Sequence, residues 1–445
     1  MSVVVMVYCV LREKDELSHR VEPMHPPHSL RPTPTPEPGT WRFIVSGDSR
    51  NCGDIVVPTI AADSLQRYQP SFYWHLGDLR AIYKVDEDIA FADRQSDGKK
   101  LACADYLKQA WPDFTEHQIA AFGDTPFYVG IGNHEVIPPK NDPSVVPGIK
   151  APTTPAGPDE IRPELNGAQF TSHFADRLLA PALLAQRMKD KDCTEVAATA
   201  TSIKRCLYLP RDYYHWIEKG VDFIYLDNAS DVLGPEQLAW FHKTMKRSES
   251  PEIRSIVVGM HEALPDSISS DHAMCDKKAE EEAKSRKQPY NYDQSCREGK
   301  EVYNALLDFQ QLHPDRHVYI LASHSHYFLE GLFNSKGAAE RLPGWIVGTA
   351  GATRNPRPPK WEDATSVKID TYGYLLGTVD SEGNIRFDFQ EVTGGDVPPS
   401  ARRRYEPAFV SWCFANNSKN KVTTTQYKTN ECKQPAAVTG SLNQE

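Results

Sequence analysis

A chain of 445 residues in which 40% of side chains are apolar and 25% charged has the composition of a folded globular protein, which excludes a wholly disordered or fibrous one. The formal net charge of −10 excludes a broad basic face for a nucleic-acid backbone, because such faces draw on an excess of Lys and Arg. Length leaves room for one large α/β unit with insertions, or for about two or three smaller domains.

In chain order, "MSVVVMVYCVLREKDEL" opens with an apolar run too short to span a bilayer, without a leading positive region or a small-residue cleavage site. Seven prolines between Pro23 and Pro38 follow and describe a stiff, extended tether, so residues 1–39 read as a degenerate leader and tether. From residue 40 apolar runs recur with turn residues at their ends: "WRFIVSG", "SFYWHLGD", "PFYVGIGN", "VDFIYLDN", "IRSIVVGMH" and "HVYILASH". Helical stretches such as "VPTIAADSLQRY" and "LGPEQLAWFHKTMKR" lie between them, the second with Leu238, Phe241 and Met245 at helical period. Strand and helix in alternation predict an α/β layer structure with a largely buried sheet. "TYGYLLGTVDSEGNIRFDFQEV" then reads as an antiparallel hairpin closing the sheet.

The folded domain is thus expected over 40–395, with a C-terminal extension over 396–445 pinned by Cys413 and Cys432. Insertions interrupt the domain at about 136–215 and 262–300. The first begins with an irregular excursion carrying eight prolines between Pro138 and Pro163. The second includes "KKAEEEAKSRK", most simply a solvated helix face. No transmembrane span is expected.

None of the nine cysteines falls in a CxxC arrangement, which argues against a zinc ribbon or a thioredoxin-like motif. Cys193 and Cys206, Cys275 and Cys296, and Cys413 and Cys432 lie close together in polar stretches where local disulfides restrict flexible chain. This favours an oxidising compartment, periplasmic or extracellular, over the cytoplasm. The odd cysteine is expected to be Cys9 or one of Cys52 and Cys103.

The chemistry is carried by position. The first run ends at Asp48, the second at Asp78, the third at Asn133 and His134, the fifth at His261, and the sixth at His324 and His326. Loops at the carboxyl ends of parallel strands gather around one crevice. Singly, each residue has an ordinary explanation: a helix cap, a turn, a satisfied rim histidine. Together, at successive strand ends, they make a set of donors for hard or borderline cations.

In that order "GDSR", "GDLR", "GNHE", "GMHE" and "SHSH" resemble the signature blocks of the calcineurin-like metallophosphoesterase superfamily. "LGPEQLAWF" is similar to a segment of its purple-acid-phosphatase-like branch, and the likeness covers about residues 41–392. The resemblance implies a four-layered α/β/β/α sandwich with two mixed sheets. It also implies two divalent or trivalent ions, Mn, Fe or Zn, with Asp78 between them, Asp48 and His326 on the first, and Asn133, His261 and His324 on the second. A water activated there attacks phosphorus in line, and His134 protonates the leaving oxygen or stabilises its charge.

Arg50 departs from the family pattern, which has a ligating histidine two residues after the first aspartate. Guanidinium offers no lone pair. The purple acid phosphatases compensate with a tyrosine three residues after the bridging aspartate, but here that position is Ala81, and Tyr83 lies two places on. The first site is therefore one ligand short, filled by a water or by a substitute such as Asn51, or else binding its metal more weakly. Arg50 is expected to grip a phosphate oxygen, with Arg80 and Arg354 as weaker candidates, or else to pair with a neighbouring acid. Ala81 also removes the acid that would orient His134 in the phosphoprotein phosphatases, which speaks against a protein phosphatase. Asn228, in an "NAS" sequon, reads as structural.

The expectation is metal-dependent hydrolysis of small phosphorylated substrates, phosphomonoesters or phosphodiesters, with the proline-rich excursion at the pocket rim. The alternative is a catalytically impaired binding protein of the same fold, because Arg50 replaces a ligand.

Overall fold

The computed structural model describes residues 37–92, 101–136, 170–197, 204–269, 272–285, 291–421 and 427–429. The N-terminal tether, the proline-rich excursion over 138–163, Cys9 and Cys432 lie outside the described residues.

All six apolar runs are strands: β1 (Trp41–Ser46), β2 (Tyr73–His75), β3 (Phe127–Val129), and, after a small ribbon of β4 (Thr194–Ala197) with β5 (Lys204–Leu207) and the strand β6 (Tyr214–Glu218), β7 (Val221–Leu226), β8 (Ser255–Met260) and β9 (His317–Ala322). The short strands β10 (Phe328–Glu330), β11 (Gly344–Val347) and β12 (Ser366–Lys368) follow, then the hairpin β13 (Tyr372–Val379) and β14 (Ile385–Val392). One sheet runs β14-β13-β1-β2-β3 and the other β12-β10-β11-β9-β8-β7-β6. Both are mixed. In the first, β1, β2 and β3 are parallel and β13 is antiparallel to β1; in the second, β7, β8, β9 and β11 are parallel, with β6 and β10 antiparallel to their neighbours.

The sheets face each other through aromatic side chains. Phe72 of the first lies 5.0 Å, centroid to centroid, from Phe223 of the second, and Trp74 lies 5.3 Å from Trp216. Strands buried on both faces are apolar throughout rather than alternating, and β7 and β8 are buried at every position. The outer face of the second sheet is covered by the helices Gly234–Arg247 and Tyr292–Leu312, whose Leu238, Phe241, Met245, Val302, Leu306 and Phe309 pack on Ile224, Val258 and Ile320. The helix Gly53–Arg67 lies over the other sheet, where Tyr374 of β13 donates to Asp63 Oδ2 at 2.6 Å. This is the four-layered α/β/β/α arrangement with two mixed sheets.

The charged stretch at 277 is a helix, Lys277–Ser285, with Lys277, Lys278, Glu281 and Lys284 exposed. Beyond Gly395 the chain is more than a peripheral appendage. Helix Pro407–Ala415 buries Phe409, Trp412 and Cys413, Phe409 against Phe91 and Tyr405, and Arg404 pairs with Asp54 and Asp113.

Disulfides join Cys193 to Cys206 and Cys275 to Cys296, as their proximity suggests. Cys413, expected to pair with Cys432, is bonded instead to Cys52, 361 residues away, because helix Pro407–Ala415 packs beside the start of helix Gly53–Arg67. Cys103 is also disulfide-bonded, so neither it nor Cys52 is the unpaired cysteine.

Candidate metal centre

Register sets the site. Ser46, His75 and Val129 stand in one row across β1, β2 and β3, so the loops bearing Asp48, Asp78 and Asn133–His134 leave the sheet side by side. In the second sheet Leu226 pairs with Met260 and Gly259 with Leu321, which brings His261 and the His324–His326 loop to the same level. The two rims meet through Leu76, whose carbonyl faces His261 Nδ1 at 3.0 Å and accepts from Ser323 Oγ at 2.8 Å.

Glycine makes the close approach possible. A Cβ on Gly132 would lie 2.4 Å from the backbone nitrogen and Oδ1 of Asp78, and Gly77 has φ +95°.

All eight expected site residues come together. Two sets share Asp78: Asp78 with His261 and His324, and Asp48 with Asp78 and His326, each set with donor atoms within 4.8 Å of one another. Asn133 joins the first of these sets. Its Oδ1 lies 3.0 Å from His261 Nε2 and 3.2 Å from His324 Nδ1, and those two ring nitrogens are 3.0 Å apart. Asn133 and His324 are half-buried and form the open side; Asp48, Asp78 and His261 are fully buried.

The outward hydrogen bonds fix which ring nitrogen faces inward. His261 Nδ1 sits on Leu76 O, and His326 Nδ1 donates to Thr353 O at 2.6 Å, so Nε2 of each presents a lone pair to the centre. Around them both Asp48 oxygens and Asp78 Oδ2 are buried without a hydrogen-bond donor. Buried carboxylate oxygens and imidazole lone pairs that converge in this way repel one another unless positive charge sits among them. The donor types, carboxylate, amide oxygen and imidazole, fit Mn, Fe or Zn. Burial raises the Asp48 pKa against the opposing pull of His261 and Arg50, and it drives His324 and His326 well below the usual imidazole range, keeping both rings neutral.

Arg50 and His134 stand at the edge of the Asp48–Asp78–His326 set. Arg50 Nη2 lies 2.7 Å from His326 Nε2 and 3.5 Å from Asp78 Oδ2, while Nη1 contacts His134 Nε2. His134 Nδ1 is held by Ala81 O at 2.7 Å, so a backbone carbonyl does the orienting that a carboxylate three residues after Asp78 would do. Burial and the neighbouring guanidinium pull the His134 pKa down to about 3. A neutral ring whose proton is on Nδ1 has none to give from Nε2.

Several weaker candidates lie elsewhere. Arg80 is buried in a cluster with Asp54, Asp88 and Asp113, and Arg354 holds the backbone oxygens of Phe414, Asn417 and Asp370; both are structural and neither bonds to a site residue. Asn51 is no substitute ligand, because its Nδ2 donates to Glu87 and its Oδ1 accepts from Thr353 N. Tyr83 packs beside His134, its ring tilted by 50° with centroids 5.0 Å apart.

Two residues build the site without touching its centre: Glu135, to which the sequence reading assigned no role, and Asn228, which it marked only as structural. Glu135 accepts from the backbone N–H groups of Gly132, Asp78, Leu79 and Arg80, tying the loops after β2 and β3 together. Its signal was the last letter of "GNHE". Asn228, buried, accepts from the N–H groups of His261 and Glu262 and donates to Glu262 O, which fixes the loop after β8 and gives its structural reading a definite content.

No family model matches the chain, and no curated protein is similar to it. Among solved structures, GAP50, the anchor in the inner membrane complex of Plasmodium, is similar with a TM-score of 0.43 and 10% identity over 80% of this chain and 86% of that one. PhoD is similar with a TM-score of 0.41 and 13% identity over 81% of this chain and 73% of that one. A 5'-nucleotidase from Candida albicans SC5314 gives 0.34 and 12% over 87% of this chain and 54% of its own. These are likenesses of fold at low identity, and what the site can do rests on its own donor sets.

Proposed function

We propose that this chain is a metal-dependent phosphoesterase that hydrolyses phosphomonoesters or phosphodiesters of small molecules with water. The observation that carries the reading is the convergence of two donor sets on the shared carboxylate of Asp78. Such a layout would let positive charge gather on both sides of one carboxylate, which would suit an in-line displacement at phosphorus.

A metal ion held by these residues would supply Lewis acidity, to activate water and to neutralise charge on the phosphoryl oxygens. Asp78, Asn133, His261 and His324 would hold one cation, and Asp48 and His326, with Asp78, would form the second cation position. Arg50 binds phosphate oxygen and stabilises charge developing in transfer. His134, neutral and seated on Ala81 O, aims the guanidinium through Nε2; the pair, rather than His134 alone, stabilises the leaving oxygen. Glu135 and Asn228 hold the loops.

Purified protein supplied with Mn2+ or Zn2+ is expected to hydrolyse p-nitrophenyl phosphate or its bis-ester, to lose that activity on chelation, and to lose about 100-fold in kcat/KM in Asn133→Ala. The second reading, a partner-binding protein with an impaired centre, is favoured by the contact of Arg50 with His326; metal-free, inert wild-type protein would support it. Disulfides among the described residues suit a periplasmic or extracellular setting. No helix among those residues is long and apolar enough to cross a membrane.

A further inference from the structure

We infer that Arg50 is itself one of the two cations of this centre: its guanidinium belongs to the Asp48–Asp78–His326 set, and the chain binds a single metal ion, at Asp78, Asn133, His261 and His324. The inference rests on the phosphoesterase reading only in taking the Asp78 cluster to be a cation centre.

The argument turns on the one lone pair of His326. Its Nδ1 is committed to Thr353 O, so Nε2 can face one partner, and Arg50 Nη2 stands 2.7 Å away. A metal ligated by that nitrogen would sit about 2.0–2.1 Å along the same direction. Ion and guanidinium therefore exclude each other there. The same nitrogen of Arg50 faces Asp78 Oδ2 at 3.5 Å, so it addresses two of the three donors that a metal in this set would need.

Arg50 is also poorly placed to withdraw. Its residue is only 9% exposed, and its other arm rests on His134, itself fixed by Ala81 O. The next two residues are anchored: Asn51 N donates to Asp86 at 2.7 Å, Asn51 Nδ2 donates to Glu87 at 2.7 Å, and Cys52 is disulfide-bonded to Cys413. The other set differs, since among the described residues no Lys or Arg nitrogen bonds to Asn133, His261 or His324.

Charge is compatible with this division. Two carboxylates, one guanidinium and one divalent ion leave a single net positive charge to face a phosphate. Arg50 Nε is buried without a hydrogen-bond partner, so the guanidinium spends its contacts on His134, His326 and Asp78.

The test is metal content. Wild-type protein equilibrated with excess Zn2+, desalted and analysed by inductively coupled plasma mass spectrometry is expected to hold one ion per chain, and Arg50→His two. Asp48→Asn is expected to leave the wild-type count at one, whereas a two-ion centre would fall from two to one, so the question is decided even if Arg50→His does not fold. Two ions per wild-type chain would overturn the assignment of Arg50. No ion in the wild type would overturn the metal-centre reading itself, which is a different result.

Discussion

Asp48, Asp78 and His324 have backbone φ of 60°, 57° and 58°, in the left-handed region that residues other than glycine rarely enter. Each such residue costs about 1–3 kcal/mol, a cost that persists where the surroundings over-determine it and that concentrates at functional sites. Half of the six expected ligands are held this way. What enforces the conformation is legible around Asp78, whose N–H, with those of Gly132, Leu79 and Arg80, is captured by the single carboxylate of Glu135. Glu135→Gln replaces one acceptor oxygen with an NH2 group facing backbone donors. It is expected to destabilise the fold by about 1–3 kcal/mol in urea titration and to weaken Zn2+ binding by about 10–100-fold in calorimetry. Unchanged Zn2+ affinity would show that the carboxylate does not position Asp78.

At the scale of elements, long apolar runs were readable as strands because burial on both faces removes the alternation that a solvent-facing sheet would show. The three-residue strands β10 and β12 carry no such run and became visible only through their pairing. Ionic joints were equally invisible. His215 on β6 lies between Asp190, at 2.6 Å from Nε2, and Asp222 of β7, at 2.9 Å from Nδ1, and Asp222 accepts in turn from Ser248 at the end of helix Gly234–Arg247. Burial alone would lower its pKa, but Asp222 and Asp190 outweigh burial and hold it up at about 9, against an ordinary 6.5. A pKa raised on folding contributes stability in full below the unfolded value, and that contribution is lost as pH rises through the folded one. His215→Gln is therefore expected to cost up to about 3 kcal/mol more at pH 6 than at pH 10, read from urea unfolding at both. An equal cost at both pH values would show that the ring is neutral between its two acids.

Across the whole molecule, the helix Pro407–Ala415 is tied to the loop that carries Asp48 and Arg50. Cys413 holds Cys52, two residues beyond Arg50, and Asn417 Nδ2 donates to Gly351 O at 3.2 Å beside the same turn. Closing so long a loop restricts the unfolded chain more than the two local disulfides do. Cys413→Ser is expected to lower stability by about 2–4 kcal/mol under oxidising conditions and to make no further difference once the wild type is reduced. A shift that persisted under reductant would assign the effect to packing of residue 413 rather than to the bond.

The sequence by itself determined an α/β layer structure, the six principal strands, the closing hairpin and the roster of residues at the strand ends, because hydrophobic period and turn chemistry are local properties and parallel strand ends share one rim; the two mixed sheets were implied only by the family resemblance. It also marked Arg50 as the residue out of place. Only the tertiary structure decided what Arg50 faces, that Arg80 and Arg354 serve the scaffold, that Ala81 orients His134 through its carbonyl, and that Cys413 reaches Cys52. Each of these depends on which distant segments pack together, and neither backbone carbonyls nor pairings across 361 residues leave a mark in local side-chain spacing.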